Sequence, residues 1–467
     1  MEAWTWKRFD GNCKKIMIYI FFLIIISVHS LILSNIQFTA WPEMFSYPYL
    51  LNNGFKMYKD IGFPYQPILP LILEFVFRIF GFKLLSLQIF TWLIILINDC
   101  LIFLISLKLT GKKILSVIPL AIYVLIQPLA EGNMLWFDLA TTPFILLGVY
   151  LLLKLKSTIN YFLFGLMFSI AFFIKQQTGI LYLLLISYLI LSKNFREMFY
   201  ILAGSILPAI FVLFYVIFNG IISDYIFWTI EVPVLWYPKF PGYTDLPSIK
   251  EALFVGILFI PVVYSGFKLL GKDTNFTVVF FLFTGAFIAA FPRFAFFRFQ
   301  PALALYVVLL MYIIPVLKIR FRLIFYSIAI LVFGLLLKNN LQFFYLPARF
   351  YGDSEYKTSQ NMGNFVSHGQ TLYLLNEHSL FYILTSTIPP KPWIDNYVWY
   401  MEIEGMQTKV IDGLNKNPPK IIFRKNPIAG NWYNLGAYEP KKIVEYIEQN
   451  YQKTAIIESE IEVWKRN

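Results

Sequence analysis

Charged side chains are scarce in this sequence: they make up 14% of 467 residues, whereas 58% of the residues are hydrophobic. With a mean hydropathy of +0.64, this composition excludes an ordinary soluble protein and indicates a polytopic membrane protein. Cysteine is almost absent. Because Cys13 and Cys100 are the only two, we expect neither a disulfide framework nor a cysteine metal site. The three histidines are too scattered along the chain to indicate a histidine site.

The sequence also lacks a phosphate-binding glycine loop, a Cys/His metal spacing and a nucleophile elbow, so soluble nucleotide-dependent chemistry has no support. The formal net charge of +12 is compatible with a nucleic-acid partner. Where basic residues separate apolar segments, however, the simpler explanation is that they lie in cytoplasmic loops of a membrane protein. We therefore expect a membrane partner and no nucleic acid.

The order of apolar and basic segments predicts about eleven transmembrane helices. Residues 1–15 form a basic cytoplasmic tail, and no small-residue cleavage site follows the first apolar run, which we interpret as a retained helix. The predicted spans are residues 16–34, 84–107, 113–130, 134–153, 159–174, 179–192, 198–219, 251–269, 275–291, 299–317 and 322–338. This arrangement predicts a multi-pass protein of the cell membrane.

One apolar run, residues 67–81, has borderline length for a span. If it crosses the membrane, the basic residues Lys108, Lys112 and Lys113 fall on the outer side. If it lies at the outer surface as a juxtamembrane helix, they fall inside, and the later basic loops follow the same rule. We adopt the second topology, in which residues 35–82 and 220–249 are outer loops of a transmembrane domain spanning residues 16–338.

Hydropathy drops after residue 338, and the pattern changes to that of a small extracytoplasmic α/β domain over residues 339–467. Residues 371–375, 420–423 and 456–464 are predicted strands, and residues 441–451 a helix. The fold class is therefore a polytopic α-helical membrane protein with a C-terminal α/β domain.

The first outer loop carries two acids, Glu43 and Asp60, among aromatic residues and prolines. Either acid is a candidate for catalysis, and the alternative is a solvated loop acid or a helix cap. The surrounding aromatic residues suit an interfacial belt or the wall of a sugar site. The outer loop 220–249 has a similar composition and the same two interpretations.

Ionisable residues in or near spans are further candidates, since their burial is costly. Asp138, just below the outer end of its helix, is expected to face a cavity or to bond to a neighbouring helix. Asp99 lies deeper, where we favour an interhelical hydrogen bond. Three cations lie at outer helix ends and could bind a phosphate or extend to lipid headgroups: Lys175, Arg293 and Arg298.

This arrangement resembles the GT-C superfamily of integral-membrane glycosyltransferases, in particular the branch of protein mannosyltransferases and aminoarabinose transferases. Short segments carry the likeness. They are Pro42-Glu43-Met44, residues 53–60, residues 64–70 leading into Phe80-Gly81, Trp136-Phe137-Asp138-Leu139-Ala140, and Arg298-Phe299-Gln300-Pro301. The family usually begins this loop with Asp, where this chain has Pro42-Glu43.

The resemblance implies transfer of a sugar from a polyprenyl-phosphate donor, with inversion, to a lipid, glycan or protein acceptor on the outer side. The acid of the first loop would be the general base, here Glu43 or Asp60, with a divalent metal such as Mg²⁺ or Mn²⁺ left open as a cofactor. Lys175, Arg293 and Arg298 would stabilise the departing phosphate. The alternatives are a transporter or flippase, a polymerase or ligase of lipid-linked glycans, and a non-catalytic subunit of a membrane assembly.

Overall fold

The computed structural model describes residues 2–110, 113–154, 157–240, 243, 247–291, 293–429 and 436–467. Lys112 and part of the loop 220–249 lie outside these residues. Each of the eleven predicted spans contains a helix. The α-helices up to residue 340 are α1 Glu2–Asn35, α2 Glu43–Asn52, α3 Ile68–Phe80, α4 Leu84–Thr110, α5 Lys113–Ile126, α6 Phe137–Lys154, α7 Thr158–Ile174, α8 Gly179–Leu191, α9 Phe195–Phe218, α10 Ile222–Ile226, α11 Ile249–Leu269, α12 Thr274–Ala289, α13 Gln300–Val316 and α14 Ile319–Asn340.

Among the described residues, five apolar segments are long enough to cross a bilayer, and six further apolar helices are shorter. The five are Ile18–Asn35, Leu84–Thr110, Phe195–Phe218, Phe296–Val316 and Ile319–Phe343. These segments agree with a multi-pass membrane protein. The number of crossings and the sides of the termini stay predictions.

The chain divides into two compact units. The first comprises Met1–Phe38, Gln88–Ala209 and Leu246–Leu346, and the second Thr39–Leu87, Ile210–Asp245 and Pro347–Asn467. In the first unit, α13 is buried along nine consecutive residues from Ala302 to Leu310. Gly165 and Gly204 let α7 and α9 approach closely, because a Cβ atom on either would lie 1.9 Å from a carbonyl oxygen of the other helix.

The second unit contains a four-stranded sheet with the order β1-β2-β4-β3. The strands β1 and β2 are parallel, and β4 pairs antiparallel with both β2 and β3. Its strands and helices are α15 Asp353–Gly363, β1 Leu372–Leu375, α16 Leu380–Leu384, α17 Val398–Met401, α18 Met406–Lys416, β2 Ile421–Lys425, α19 Lys441–Asn450, β3 Tyr451–Ile457 and β4 Ile461–Arg466.

The first two predicted strands and the predicted helix are present, but the prediction of one strand over residues 456–464 is wrong. Glu458 and Ser459 have φ angles of 50° and 64°. This left-handed backbone turns the chain back on itself, so that β3 ends at Ile457 and β4 begins at Ile461. The two form a hairpin.

The apolar run at residues 67–81 is the amphipathic helix α3. Leu69, Leu73 and Phe77 are buried at a spacing of four residues, whereas Phe75 and Ile79 are exposed. A helix of 13 residues is about 20 Å long, which is shorter than the hydrocarbon core of a bilayer. Its length and its two faces support the predicted juxtamembrane position, which stays a prediction.

Candidate active site

Glu43 occupies the first position of α2 and is buried, with 7% of its surface exposed. The Tyr397 hydroxyl donates a hydrogen bond of 3.1 Å to Glu43 Oε1. The other oxygen, Oε2, is buried and has no hydrogen-bond partner among the described residues. The alternative of a solvated loop acid is therefore wrong for Glu43, because the outer loop folds into a packed helix.

A second acid, Asp395, completes a pair of buried carboxyl groups in this unit. Asp395 is 4% exposed. Burial raises the pKa of the Glu43 carboxyl above its usual range. Burial first, and then repulsion from Glu43, raises the pKa of the Asp395 carboxyl well above its usual range. One proton on this pair removes the repulsion, so the pair titrates as a unit.

Two tyrosines, Tyr47 and Tyr397, lie near the carboxyl pair, and each packs against a tryptophan. Tyr47 lies one helical turn after Glu43, and its ring packs edge-on against Trp393, with the centroids 5.9 Å apart. Tyr397 stacks on Trp399 at 4.6 Å with an interplanar angle of 10°. Burial and the nearby acids raise the pKa of Tyr47 and of Tyr397 well above its usual value, so both phenols stay neutral. They supply hydrogen-bond donors without adding charge.

Asp395 is a candidate site residue that sequence reasoning missed. Only the fold joins the two acids: Tyr397, two residues beyond Asp395, lies 354 positions after Glu43 along the chain. The signal available in the sequence was a single acid inside an aromatic stretch, between Trp393 and Tyr397. That composition also occurs in ordinary loops and does not by itself indicate a site.

Asp60 has different partners from Glu43. Its Oδ2 accepts hydrogen bonds from the Lys56 backbone N–H at 2.9 Å and from Lys391 Nζ at 3.2 Å. The Asp60 backbone also pairs with Trp393, whose N–H donates to the Asp60 carbonyl oxygen at 2.8 Å. Asp60 therefore fixes the turn before α3 to the segment that carries Asp395, and its carboxylate already has Lys391 as an ion-pair partner.

In the first unit, Asp138 and Lys175 form a buried ion pair. Lys175 Nζ lies 2.6 Å and 2.7 Å from the two carboxylate oxygens of Asp138, and both side chains are 4% exposed. Asp138 is the second residue of α6, and Lys175 directly follows α7. Asp138 was expected to face a cavity or to bond to a neighbouring helix, and the structure shows a bond to Lys175 at the end of the neighbouring helix α7.

Arg298 lies close enough for its charge to act on both members of this pair. It belongs to the short helix Phe296–Phe299, which precedes α13. Its Nε is buried and has no hydrogen-bond partner among the described residues. Two cations and one carboxylate leave one net positive charge, which suits an anion such as a phosphate. Arg293 is half-buried, and its predicted role stays a prediction.

Within the part of the chain that the structure describes, no group of three or more His, Cys, Asp or Glu side chains could hold a metal ion. A divalent metal ion therefore stays an implication of the family resemblance.

Comparison of folds identifies solved relatives. ArnT from Cupriavidus metallidurans bound to undecaprenyl phosphate matches with a TM-score of 0.63 and 9% identity, over 96% of this chain and 97% of ArnT. This chain has the ArnT fold. Apo ArnT gives a TM-score of 0.61 at 9% identity, over 97% and 98% of the two chains. The predicted resemblance to GT-C glycosyltransferases is confirmed for the fold.

An Archaeoglobus fulgidus oligosaccharyltransferase in complex with Zn and sulfate matches with a TM-score of 0.51 and 11% identity, over 86% of this chain and 68% of that enzyme. By sequence, neither a family model nor a curated protein matches the chain. The similarity to both proteins is therefore a similarity of fold.

Proposed function

We propose that this protein is a glycosyltransferase that moves a sugar from a polyprenyl-phosphate donor to a hydroxyl group of an acceptor, with inversion. The observation that carries the proposal is the buried carboxyl group of Glu43, which has one oxygen held by Tyr397 and the other uncommitted. The ArnT fold supports it, since that relative was solved with undecaprenyl phosphate.

Glu43 acts as the general base in this reaction. Its Oε2 accepts the proton of the acceptor hydroxyl while the acceptor oxygen attacks the anomeric carbon. The bond between that carbon and the phosphate oxygen breaks, and the polyprenyl phosphate leaves with the electron pair. Because attack comes from the side opposite the leaving group, the configuration inverts.

Tyr397 and Asp395 prepare Glu43 for this role. The Tyr397 hydroxyl fixes Oε1 and leaves Oε2 for the acceptor. Burial and the charge of Glu43 both raise the pKa of Asp395, which favours a protonated Asp395 beside an ionised Glu43. Asp60 is the less suitable base because its carboxylate already forms an ion pair with Lys391.

Lys175 and Arg298 stabilise the leaving phosphate. Asp138 holds the Lys175 ammonium group with two hydrogen bonds, which fixes its position without neutralising both cations. Charge stabilisation by groups already in place lowers the barrier, since no reorganisation accompanies bond breaking. Arg293 is a further candidate for this role.

The test supplies a radiolabelled polyprenyl-phosphate sugar to membranes that contain the protein and follows the label into lipid, protein or glycan. Transfer that depends on the protein supports the proposal, and the labelled product identifies the acceptor class, including a growing glycan for a polymerase or ligase. Undiminished transfer in Glu43→Gln would exclude the proposed base, and undiminished transfer in Asp60→Asn as well would exclude both acids of the first outer loop. Movement of a solute without bond transfer would favour a transporter.

A further inference from the structure

Three polar side chains meet inside the apolar helices of the first unit, and the proposed mechanism uses none of them. His29 belongs to α1, Asp99 to α4, and Gln127 directly follows α5. All three are fully buried. His29 Nδ1 lies 2.8 Å from Asp99 Oδ2, and His29 Nε2 lies 3.2 Å from Gln127 Oε1. Asp99 thus makes the interhelical hydrogen bond favoured for it, and its partner is a histidine with a second buried partner.

The hydrogen bonds fix how many protons His29 and Asp99 hold. The Gln127 amide nitrogen donates to the Gly132 carbonyl oxygen at 3.0 Å, so Oε1 must face the imidazole ring. Both ring nitrogens then face acceptors if Asp99 is ionised. A neutral imidazole has only one N–H. The geometry therefore requires one more proton, either on the ring or on Asp99 Oδ2. The pair is then an imidazolium with a carboxylate, or a neutral imidazole with a carboxylic acid. Both forms have no net charge, which burial among apolar helices favours.

Gln127 connects this pair to the turn Pro128–Gly132. The turn is also bound by other amide side chains: Gln300 donates to the Ala130 carbonyl oxygen at 2.9 Å, and Asn340 donates to that of Leu129 at 3.0 Å. Gly132 has no room for a side chain, because a Cβ atom there would lie 2.2 Å from the Gln127 carbonyl oxygen. Gln127 and the turn are thus packed as one body.

The same turn leads into the residues of the ion pair. Asn133, the next residue, donates to the carbonyl oxygens of Leu33 and Ile36 at 3.0 Å and 2.9 Å. Helix α6 begins four residues later at Phe137, and Asp138 follows. The path of the chain from Gln127 to Asp138 is therefore fixed by hydrogen bonds at its start.

We propose that His29 is a positioning residue: the His29–Asp99 pair holds one shared proton, and the imidazole N–H so formed holds Gln127 and the turn that leads to Asp138. A second titratable group, Tyr123 on α5, packs its ring edge-on against His29 at 6.2 Å. The effect on turnover rests on the proposed function. The number of protons on the His29–Asp99 pair and the ordering of the turn are independent of the proposed function.

Asp99→Asn is the informative substitution. An amide at position 99 donates to Nδ1 of a neutral imidazole, whose Nε2–H still reaches Gln127, so the network persists without the extra proton. His29→Leu removes the hydrogen bond between His29 and Gln127, and Gln127→Leu removes the same hydrogen bond by replacing its acceptor. Should His29→Leu fail to fold, Gln127→Leu provides the same comparison.

Two measurements on the purified full-length protein in lipid nanodiscs test the proposal. Nitrogen NMR of labelled histidine, with infrared spectra of the carboxyl region, should show at neutral pH either an imidazolium ring at His29 or a protonated carboxyl band that Asp99→Asn removes. Finding neither would overturn the proton count. Hydrogen exchange of residues 128–138 should be about tenfold faster in His29→Leu or Gln127→Leu and unchanged in Asp99→Asn.

Equally slow exchange in His29→Leu and Gln127→Leu would overturn the positioning role. If the wild-type protein transfers sugar, kcat should fall about tenfold in these two variants, with little change in KM for the donor. In Asp99→Asn, kcat should stay close to the wild-type value. A wild-type protein without transfer would count against the proposed function, while the spectra and the exchange rates would still decide this inference.

Discussion

Removing Lys175 and Asp138 singly and together tests the buried ion pair. Truncating one member of such a pair leaves a charge without its partner in a nonpolar environment, which costs about 3–5 kcal/mol of unfolding free energy. The two single variants should differ, however. Lys175→Met leaves Asp138 with Arg298 as a counter-charge, whereas Asp138→Asn leaves two neighbouring cations without an anion. We expect about 3 kcal/mol for the first and about 5 kcal/mol for the second.

The double variant should lose less than the sum of the two single losses, because neither member of the Asp138–Lys175 pair is then left without the other. Thermal and denaturant unfolding of the purified protein measure the three effects. The control is Lys391→Met, which removes the partly exposed pair with Asp60 and should cost at most about 1 kcal/mol. The reasoning would be contradicted if the single variants lost no more unfolding free energy than the control. It would also be contradicted if the loss in the double variant equalled the sum of the two single losses.

Further predictions concern the acid pair and the topology. Burial raises the pKa of Glu43, so this base loses its proton at higher pH than an ordinary carboxyl group, and transfer should increase as pH rises through that pKa. Tyr397→Phe removes a hydrogen bond that favours the ionised form, which should shift the pH–rate profile to higher pH. In Glu43→Gln the infrared band of protonated Asp395 should titrate at lower pH, because the repulsion is gone. Single cysteines at Lys59 and Lys112, in a protein without its native cysteines, should be labelled from opposite sides of the membrane, and labelling from one side would refute the juxtamembrane position of α3.

Hydropathy predicted the helices because each depends on residues close together in the chain. The positions of the eleven apolar segments follow from composition alone. The β3–β4 hairpin was missed for a local reason: Glu458 and Ser459 adopt left-handed backbone without the glycine or asparagine that usually marks such a turn. The residue types at positions 458 and 459 therefore did not indicate a turn.

The partners in the site could not be predicted, because they are distant in the sequence. Charge and depth selected Glu43, Asp138 and Lys175 individually, but nothing in the sequence pairs Lys175 with Asp138. Asp395 was missed because its segment has the composition of an ordinary loop, and His29 because separation along the chain was taken as separation in space. Burial of a polar group becomes visible only when the segments that cover it are in place.

The most direct test of the proposed base separates donor binding from transfer in Glu43→Gln. Binding of a polyprenyl-phosphate sugar to the purified variant should stay within about twofold of wild type, while single-turnover transfer should fall by about 10²–10⁴. Asp60→Asn, an acid-to-amide change in the same loop, serves as the matched control and should retain more transfer. Transfer by Glu43→Gln at the wild-type rate would contradict the assignment of Glu43 as the general base.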